Sequence, residues 1–296
     1  MQSVLPTEVW NTLQYRKFRQ RILRQGHGEG LIKTWQKGFG TEFSEYRAYE
    51  PGDNPKNLDW NHFAKTDKLY TKVFYEEKNI SILLLVDGSN SMRFSDKWSY
   101  LKNLTLALSV IGIKSADNLS VCLTPEAPLI NLNHIGSLPR VHDLFNNSDT
   151  KDITDDESRN QALYTSALKI IECAKSPSLA VVISDFLTEK EAFANMLDLF
   201  RFKNIELTGI QLLDKVDIEP LGSEEVLRVI DSETGTQTTI SLTKNELQEY
   251  KSMLNKHNKS VSDLFFNRGA NFISIVTSEN LTRVINSNLV ERGLLA

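Results

Sequence analysis

The sequence predicts an α/β fold: a mostly parallel central sheet flanked by helices, with an N-terminal extension and a β-hairpin insertion. Three observations carry this. From residue 79 onward, strand-like and helix-like segments alternate, the pattern of strands joined by crossover helices. Two runs, Ser81–Asp87 and Leu179–Asp185, are apolar until they stop at an aspartate, as strands buried on both faces do. Finally, Asp231-Ser232-Glu233-Thr234-Gly235 joins two strand-like segments with a hairpin signal.

Taken in order, residues 9–26 read as a helix carrying Val9, Leu13, Phe18 and Leu23 among basic residues. Residues 27–80 are loop-rich: glycines stand at 28, 30, 38 and 40, and Pro51-Gly52-Asp53 and Asn54-Pro55 are turn formers. Leu69–Tyr75 is β-branched and aromatic and reads as a strand. Beyond it, strands are expected at 81–87, 119–124, 179–185, 205–213, 226–231, 236–242 and 271–276. Helices are expected at 97–115, 139–146, 160–175, 190–202, 244–267 and 280–290. In the helix at 244–267, Leu247, Tyr250, Leu254, His257, Val261 and Leu264 form one stripe suited to packing on the sheet. Residues 1–78 are therefore expected as an extension packed on a core domain of residues 79–296. The extension has too few periodic apolar positions for a core of its own, yet carries Trp35, Phe39, Phe43, Trp60 and Phe74.

With 40% hydrophobic and 24% charged residues among 296, the chain has the composition of a globular protein. A net charge of -4 gives no global positive field to attract phosphates, so no nucleic acid is expected. No apolar run approaches the roughly 20 residues that span a bilayer. The N-terminus lacks a secretory apolar core, and a cytoplasmic protein with no membrane span is expected. Cys122 and Cys173 sit in apolar surroundings and read as free thiols.

The chemistry is concentrated where the first apolar run ends, in Asp87-Gly88-Ser89-Asn90-Ser91. Ligands of open α/β sheets bind beyond the carboxyl ends of the strands. One carboxylate and two hydroxyls there suit a small hard cation such as Mg²⁺. If the strand ending at Asp185 is a neighbour, a second carboxylate joins the set, and a cation relieves the repulsion between the two. The bland alternative is a helix cap and ordinary turn chemistry; the pairing with Asp185 favours a metal set of Asp87, Ser89, Ser91 and Asp185.

These residues also carry a resemblance. Val86–Met92 together with Ile183-Ser184-Asp185-Phe186 resembles the metal-ion-dependent adhesion site of von Willebrand factor A domains. Gly40–Asp53, with its Arg-x-Tyr-x-Pro-Gly-Asp signature, Leu58-Asp59-Trp60, Ala64-Lys65-Thr66, Asp231–Gly235 and Leu289–Gly293 resemble the bacterial "domain of unknown function 58" family, over nearly the whole chain. The resemblance implies a Rossmann-like von Willebrand factor A fold and a metal site at which a partner carboxylate completes the coordination sphere. It further implies a MoxR-type AAA+ ATPase, a client protein, or both as partners. Family spacing places an additional threonine ligand near Ala162; Thr165, three residues later, and Thr154, eight earlier, are the candidate threonines, and Thr154 also suits a capping box with Glu157. The expected cofactor is thus a weakly held Mg²⁺. Arg47, Asp53, Asp59 and Trp60 fit either a buried ion-pair and aromatic cluster or a partner-binding surface, and turn chemistry favours the first.

The expected function is a noncatalytic interaction module or adaptor. Two alternatives stand beside it: Mg²⁺-dependent phosphoryl transfer with Asp87 as nucleophile, and a scaffold with a vestigial metal site. No G-x-x-x-x-G-K-[ST] loop is present, so the chain is not expected to be an NTPase itself.

Overall fold

The computed structural model describes residues 5–19, 35–38, 42–51, 53–77, 81–116, 118–125, 129–148, 156–174, 178–188, 190–220, 226–230, 237–241 and 244–296. The chain forms two compact units: Met1–Arg19 with Ile80–Ala296, and Gln20–Asn79. Helix α1 (Thr7–Leu13) belongs to the larger unit. The smaller unit holds β1 (Trp35–Gly38), β2 (Glu42–Ala48), α2 (Trp60–Thr66) and β3 (Tyr70–Glu77). The larger unit continues with β4 (Ser81–Val86), α3 (Asn90–Arg93), α4 (Lys97–Ser115), β5 (Asn118–Leu123), β6 (Ile130–Leu132), α5 (Leu138–Asn146) and α6 (Asp156–Ile171). Then come β7 (Ser178–Ser184), α7 (Lys190–Phe202), β8 (Glu206–Leu213), α8 (Lys215–Ile218), β9 (Val226–Ile230), β10 (Gln237–Ser241), α9 (Lys244–Phe266) and β11 (Asn271–Val276). The chain closes with α10 (Leu281–Arg283), a π-helical turn (Val284–Asn288) and α11 (Leu289–Glu291).

The larger unit is an α/β sandwich around a six-stranded sheet in the order β11-β8-β7-β4-β5-β6. The first five of these strands run parallel; β6 pairs antiparallel with β5 at the edge. β4 lies at the centre between β7 and β5 because every one of its side chains is buried, which requires cover on both faces. Alternation divides those side chains. Ile82, Leu84 and Val86 join Leu179, Val181 and Ile183 in one core with α1, α4, α5 and the C-terminal helical run. Leu83 and Leu85 join Ala180 and Val182 in a second core with α6, α7 and α9. Gly209 in β8 lies against the ring of Phe265 in α9, which leaves no room for a Cβ there. β9 and β10 pair antiparallel as a separate two-stranded sheet, the expected hairpin; its turn, Asp231–Gly235, lies outside the described residues.

Strands 81–87, 119–124, 179–185 and 205–213 are found within one residue of the expected bounds. Two expectations need correction. The first helix covers Thr7–Leu13, not residues 9–26. Its stripe of Leu5, Val9 and Leu13 is buried, but Phe18 is taken by a β-bridge to Leu295, and residues 20–34 lie outside those described. Strand β6, three residues long, was not anticipated, because so short a run offers no period to read. Cys122 and Cys173 are free, and burial pushes the Cys122 thiol pKa up. Among the described residues no helix is long and apolar enough to cross a membrane.

The smaller unit is a three-stranded antiparallel sheet in the order β1-β3-β2. Arg47 donates to Asp53 Oδ1 at 2.6 Å, and Asp53 Oδ2 accepts from the Glu50 N–H at 3.0 Å and the Thr71 hydroxyl at 3.2 Å. The signature thus braces the Pro-Gly-Asp turn against β3. Asp59 caps α2, accepting from the His62 N–H at 3.0 Å, with Lys72 at 3.7 Å from its other oxygen. Trp60, at the first position of α2, is 60% exposed rather than buried.

The backbone hydrogen bond from Glu50, followed by the Arg47 and Thr71 contacts, outweighs desolvation and holds the Asp53 pKa below the ordinary carboxylate value. A folded pKa below the unfolded one stabilises above about pH 4 and is lost as pH falls through the lowered pKa. Asp53→Asn is therefore expected to lower urea stability at pH 7, with the deficit shrinking under acid. A deficit independent of pH would contradict this ion-pair role.

Candidate functional site at the carboxyl edge of the sheet

Three adjacent parallel strands, β4, β7 and β8, are each followed directly by an aspartate: Asp87, Asp185 and Asp214. Because the strands are parallel and in close register, these residues gather at one sheet edge. The Asp87 N–H donates to the Ile183 carbonyl at 2.8 Å, which carries the β4–β7 pairing to the last residue before the loop.

The loop after β4 is held tightly. Asp87 Oδ1 accepts from the Ser89 N–H at 3.0 Å and the Thr124 hydroxyl at 3.4 Å. Its Oδ2 accepts from the Ser184 hydroxyl at 2.6 Å. Gly88 donates its N–H to Thr124 Oγ1 at 3.2 Å, and a Cβ at Gly88 would collide with the Thr124 carbonyl oxygen. Arg93 donates to the Gly88 carbonyl at 3.3 Å and to Ser148 Oγ at 2.9 Å, with its guanidinium 4.1 Å from the Trp98 ring centroid. The loop therefore turns inward and brings Ser89 Oγ to 3.1 Å from Ser91 Oγ. Ser91 in turn hydrogen-bonds the Asp185 side chain. Asp87, Ser89, Ser91 and Asp185 thus stand together, the first three half-buried and Asp185 only 2% exposed.

Asp185 is positioned by its own neighbours. Phe186 takes a left-handed backbone, φ 52°, which costs about 1–2 kcal/mol for a residue with a side chain. The Ser184 hydroxyl accepts the Phe186 N–H at 3.1 Å, His257 Nε2 donates to the Phe186 carbonyl at 2.7 Å, and the ring packs on Phe193, Phe265 and Phe272. Gln211 donates to the Asp185 carbonyl at 3.0 Å and to Asn258 Oδ1 at 2.9 Å, while Ser274 satisfies its oxygen at 3.0 Å. These contacts offset the strain and fix where the Asp185 carboxylate sits.

A lysine lies among the carboxylates. Lys97, the first residue of α4, is 1% exposed, with Nζ at 3.0 Å from Asp217 Oδ2 and 3.5 Å from Asp185 Oδ2. Asp217 is set by a capping box with Asp214 across α8, accepting the Asp214 N–H at 2.7 Å. Burial raises the Asp185 pKa and the neighbouring Asp87 adds to the rise, while Lys97, Ser91 and the Leu187 N–H act against it; the net direction is up. Asp214 goes the other way. Burial opposes its charge, but hydrogen bonds from Thr277 at 2.6 Å, Val216 N–H at 3.1 Å and Ser95, with Lys97 nearby, hold its pKa down.

The donor set fits a small hard cation. Adjacent oxygens around Mg²⁺ lie about 2.9–3.0 Å apart, and the two serine oxygens already stand at 3.1 Å, a spacing that also serves a hydroxyl–hydroxyl hydrogen bond. Among the described residues no three His, Cys, Asp or Glu side chains group to hold a metal, so a cation here depends on the serine hydroxyls. Of the two candidate threonines, Thr165 lies on the exposed face of α6 and Thr154 lies outside the described residues. Thr124, not anticipated from sequence, brings a hydroxyl to Asp87 from the end of β5. Lys97, Ser184, Asp214 and Asp217 were also missed. Asp214 carried a readable signal, as a third apolar strand ending in aspartate. Lys97 carried a fainter one: it continues the buried stripe of Leu101, Leu104 and Leu108 at helical spacing.

The family described as "Protein of unknown function DUF58" matches residues 45–260. The chain belongs to the DUF58 family. This DUF58 protein is 24% identical over 282 residues to the uncharacterized protein Rv1480 of Mycobacterium tuberculosis, covering 91% of this chain and 85% of that one. Among solved structures it is similar to the conserved hypothetical protein BatB from Bacteroides thetaiotaomicron, with 11% identity, TM-score 0.40, and coverage of 72% of this chain and 98% of that one. Manganese-loaded Plasmodium vivax TRAP protein matches with 17% identity and TM-score 0.34, over 45% of this chain and 57% of that one.

Gly88→Ala is expected to destabilise the protein by about 1–3 kcal/mol, because a backbone carbonyl cannot step aside for the new methyl group. Urea unfolding measures it; a change below about 0.5 kcal/mol, the range of an ordinary surface substitution, would show that the close approach to Thr124 does not shape the loop.

Proposed function

We propose that this DUF58 protein is a noncatalytic interaction module whose partner docks at the carboxyl edge of the sheet through a divalent cation held by Asp87, Ser89, Ser91 and Asp185. The observation that carries the reading is the convergence of two serine hydroxyls, 3.1 Å apart, beside two strand-terminal carboxylates on a loop pinned from three sides. A bound Mg²⁺ would supply a Lewis-acidic positive point that attracts a carboxylate from the partner. The chain's own residues do the rest. Ser89 and Ser91 present neutral oxygens, so four protein ligands leave coordination positions open to waters or a partner carboxylate, and the Asp87 carboxylate orients the loop by accepting the Ser89 N–H. The half-buried serines leave the edge accessible to a partner side chain.

The resemblance stated from the sequence supports a MoxR-type AAA+ ATPase, or a client of one, as the partner. A nucleophilic role for Asp87 in phosphoryl transfer is disfavoured: the residue two after it is Ser89 rather than a second acid.

Asp87→Ala is expected to weaken binding of an acidic partner segment by tenfold or more in Mg²⁺, and chelation of the wild type should do the same. Calorimetry across Mg²⁺ and EDTA checks it. Wild-type binding undiminished by EDTA, or equal binding by the two proteins in Mg²⁺, would eliminate the cation bridge and leave the scaffold reading.

A further inference from the structure

The buried lysine has no place in a plain cation site. Removing an ammonium from water costs several kcal/mol unless carboxylates compensate it, and Lys97 is compensated by the same Asp185 that the proposed cation would use. A second carboxylate, Asp217, stands closer to Nζ, at 3.0 Å against 3.5 Å. Asp217 is itself fixed: its carboxylate accepts the Asp214 N–H, and its carbonyl accepts the Tyr250 hydroxyl at 2.6 Å. The lysine therefore has one seat at the site and one beside it.

We infer that Lys97 is an internal counter-cation that competes with a divalent ion for Asp185, and that Asp217 is the seat that keeps the lysine paired when Asp185 turns to the ion. The inference rests on the cation-site reading above. Its physical content is a competition between two positive charges for one buried carboxylate. While Lys97 leans on Asp185, the site is partly neutralised and draws free cation weakly. A partner carboxylate that adds negative charge tips the balance toward the ion, so cation and partner bind with positive reciprocal linkage. Asp217 lowers the penalty of that exchange, because the ammonium is never left buried and alone. The site is thereby biased to hold a cation with a partner rather than without one.

The test is the Mg²⁺ dependence of thermal unfolding and the calorimetric Mg²⁺ affinity of the full chain, for wild type, Lys97→Met, Asp217→Asn and Asp87→Ala. A neighbouring unit charge changes a carboxylate's affinity for a proton by about 10- to 1000-fold, so tenfold is the floor expected here. Lys97→Met should be less stable than wild type in EDTA, be restored by Mg²⁺, and bind Mg²⁺ about tenfold more tightly or better. Asp217→Asn should move the other way, binding Mg²⁺ more weakly than wild type, because its lysine has only Asp185; this arm stands even if Lys97→Met does not fold. Unchanged or weaker Mg²⁺ affinity in Lys97→Met, or unchanged or tighter affinity in Asp217→Asn, overturns the competition. If Asp87→Ala abolishes the Mg²⁺ response in that case, the cation site survives and only the role of Lys97 falls. If no protein responds to Mg²⁺, or Asp87→Ala responds like wild type, the cation-site reading falls and this inference falls with it.

Discussion

Four carboxylates, Asp87, Asp185, Asp214 and Asp217, stand at one end of a sheet whose central strands are mostly apolar, and the Lys97 ammonium lies buried among them. The arrangement follows from topology. Parallel strands in register must end at the same edge, so aspartates placed after β4, β7 and β8 necessarily meet. Like charges in a poorly solvated place repel, and each aspartate here is relieved differently. Asp87 is surrounded by hydroxyl and amide donors, Asp214 takes Thr277 and the start of α8, and Asp185 and Asp217 share the lysine. Asp185 is almost wholly buried, and that burial, with Asp87 nearby, moves its pKa up despite Lys97.

The loop chemistry depends on this edge. Ser89 and Ser91 face each other because Asp87 captures the Ser89 N–H, Gly88 passes against Thr124, and Arg93 ties the turn to Ser148. On the other side, the left-handed Phe186 and the Gln211–Asn258–Ser274 chain fix Asp185 from behind. The site is thus set by rigid neighbours on both sides, the condition under which a small cation can be recognised by hydroxyl oxygens that carry no charge of their own.

Much of this was legible in the sequence. The apolar runs Ser81–Val86 and Ser178–Ser184 admit little besides buried parallel strands, and their terminal aspartates pointed to one edge. What escaped did so for physical reasons. Asp214 follows a strand whose bounds were read correctly, but its pairing with α8 looks like ordinary helix capping. Lys97 opens a helix, where a lysine is expected in water, and only the tertiary fold shows that the carboxyl edge lies over that first turn. Thr124 reaches Asp87 from β5, a neighbour in space and not in sequence. The overlong first helix failed because Phe18 is spent on a bridge to the C-terminal segment, which no local period encodes.

The lysine–aspartate contact at this edge is tested most directly by a double-mutant cycle. Urea unfolding in EDTA of wild type, Lys97→Met, Asp185→Asn and the double variant isolates the energy with which the two groups hold each other. Contact between them predicts a coupling of about 1–3 kcal/mol, the double variant losing less than the sum of the singles. Additivity within about 0.3 kcal/mol would contradict it, and would mean that the buried lysine belongs to Asp217 alone.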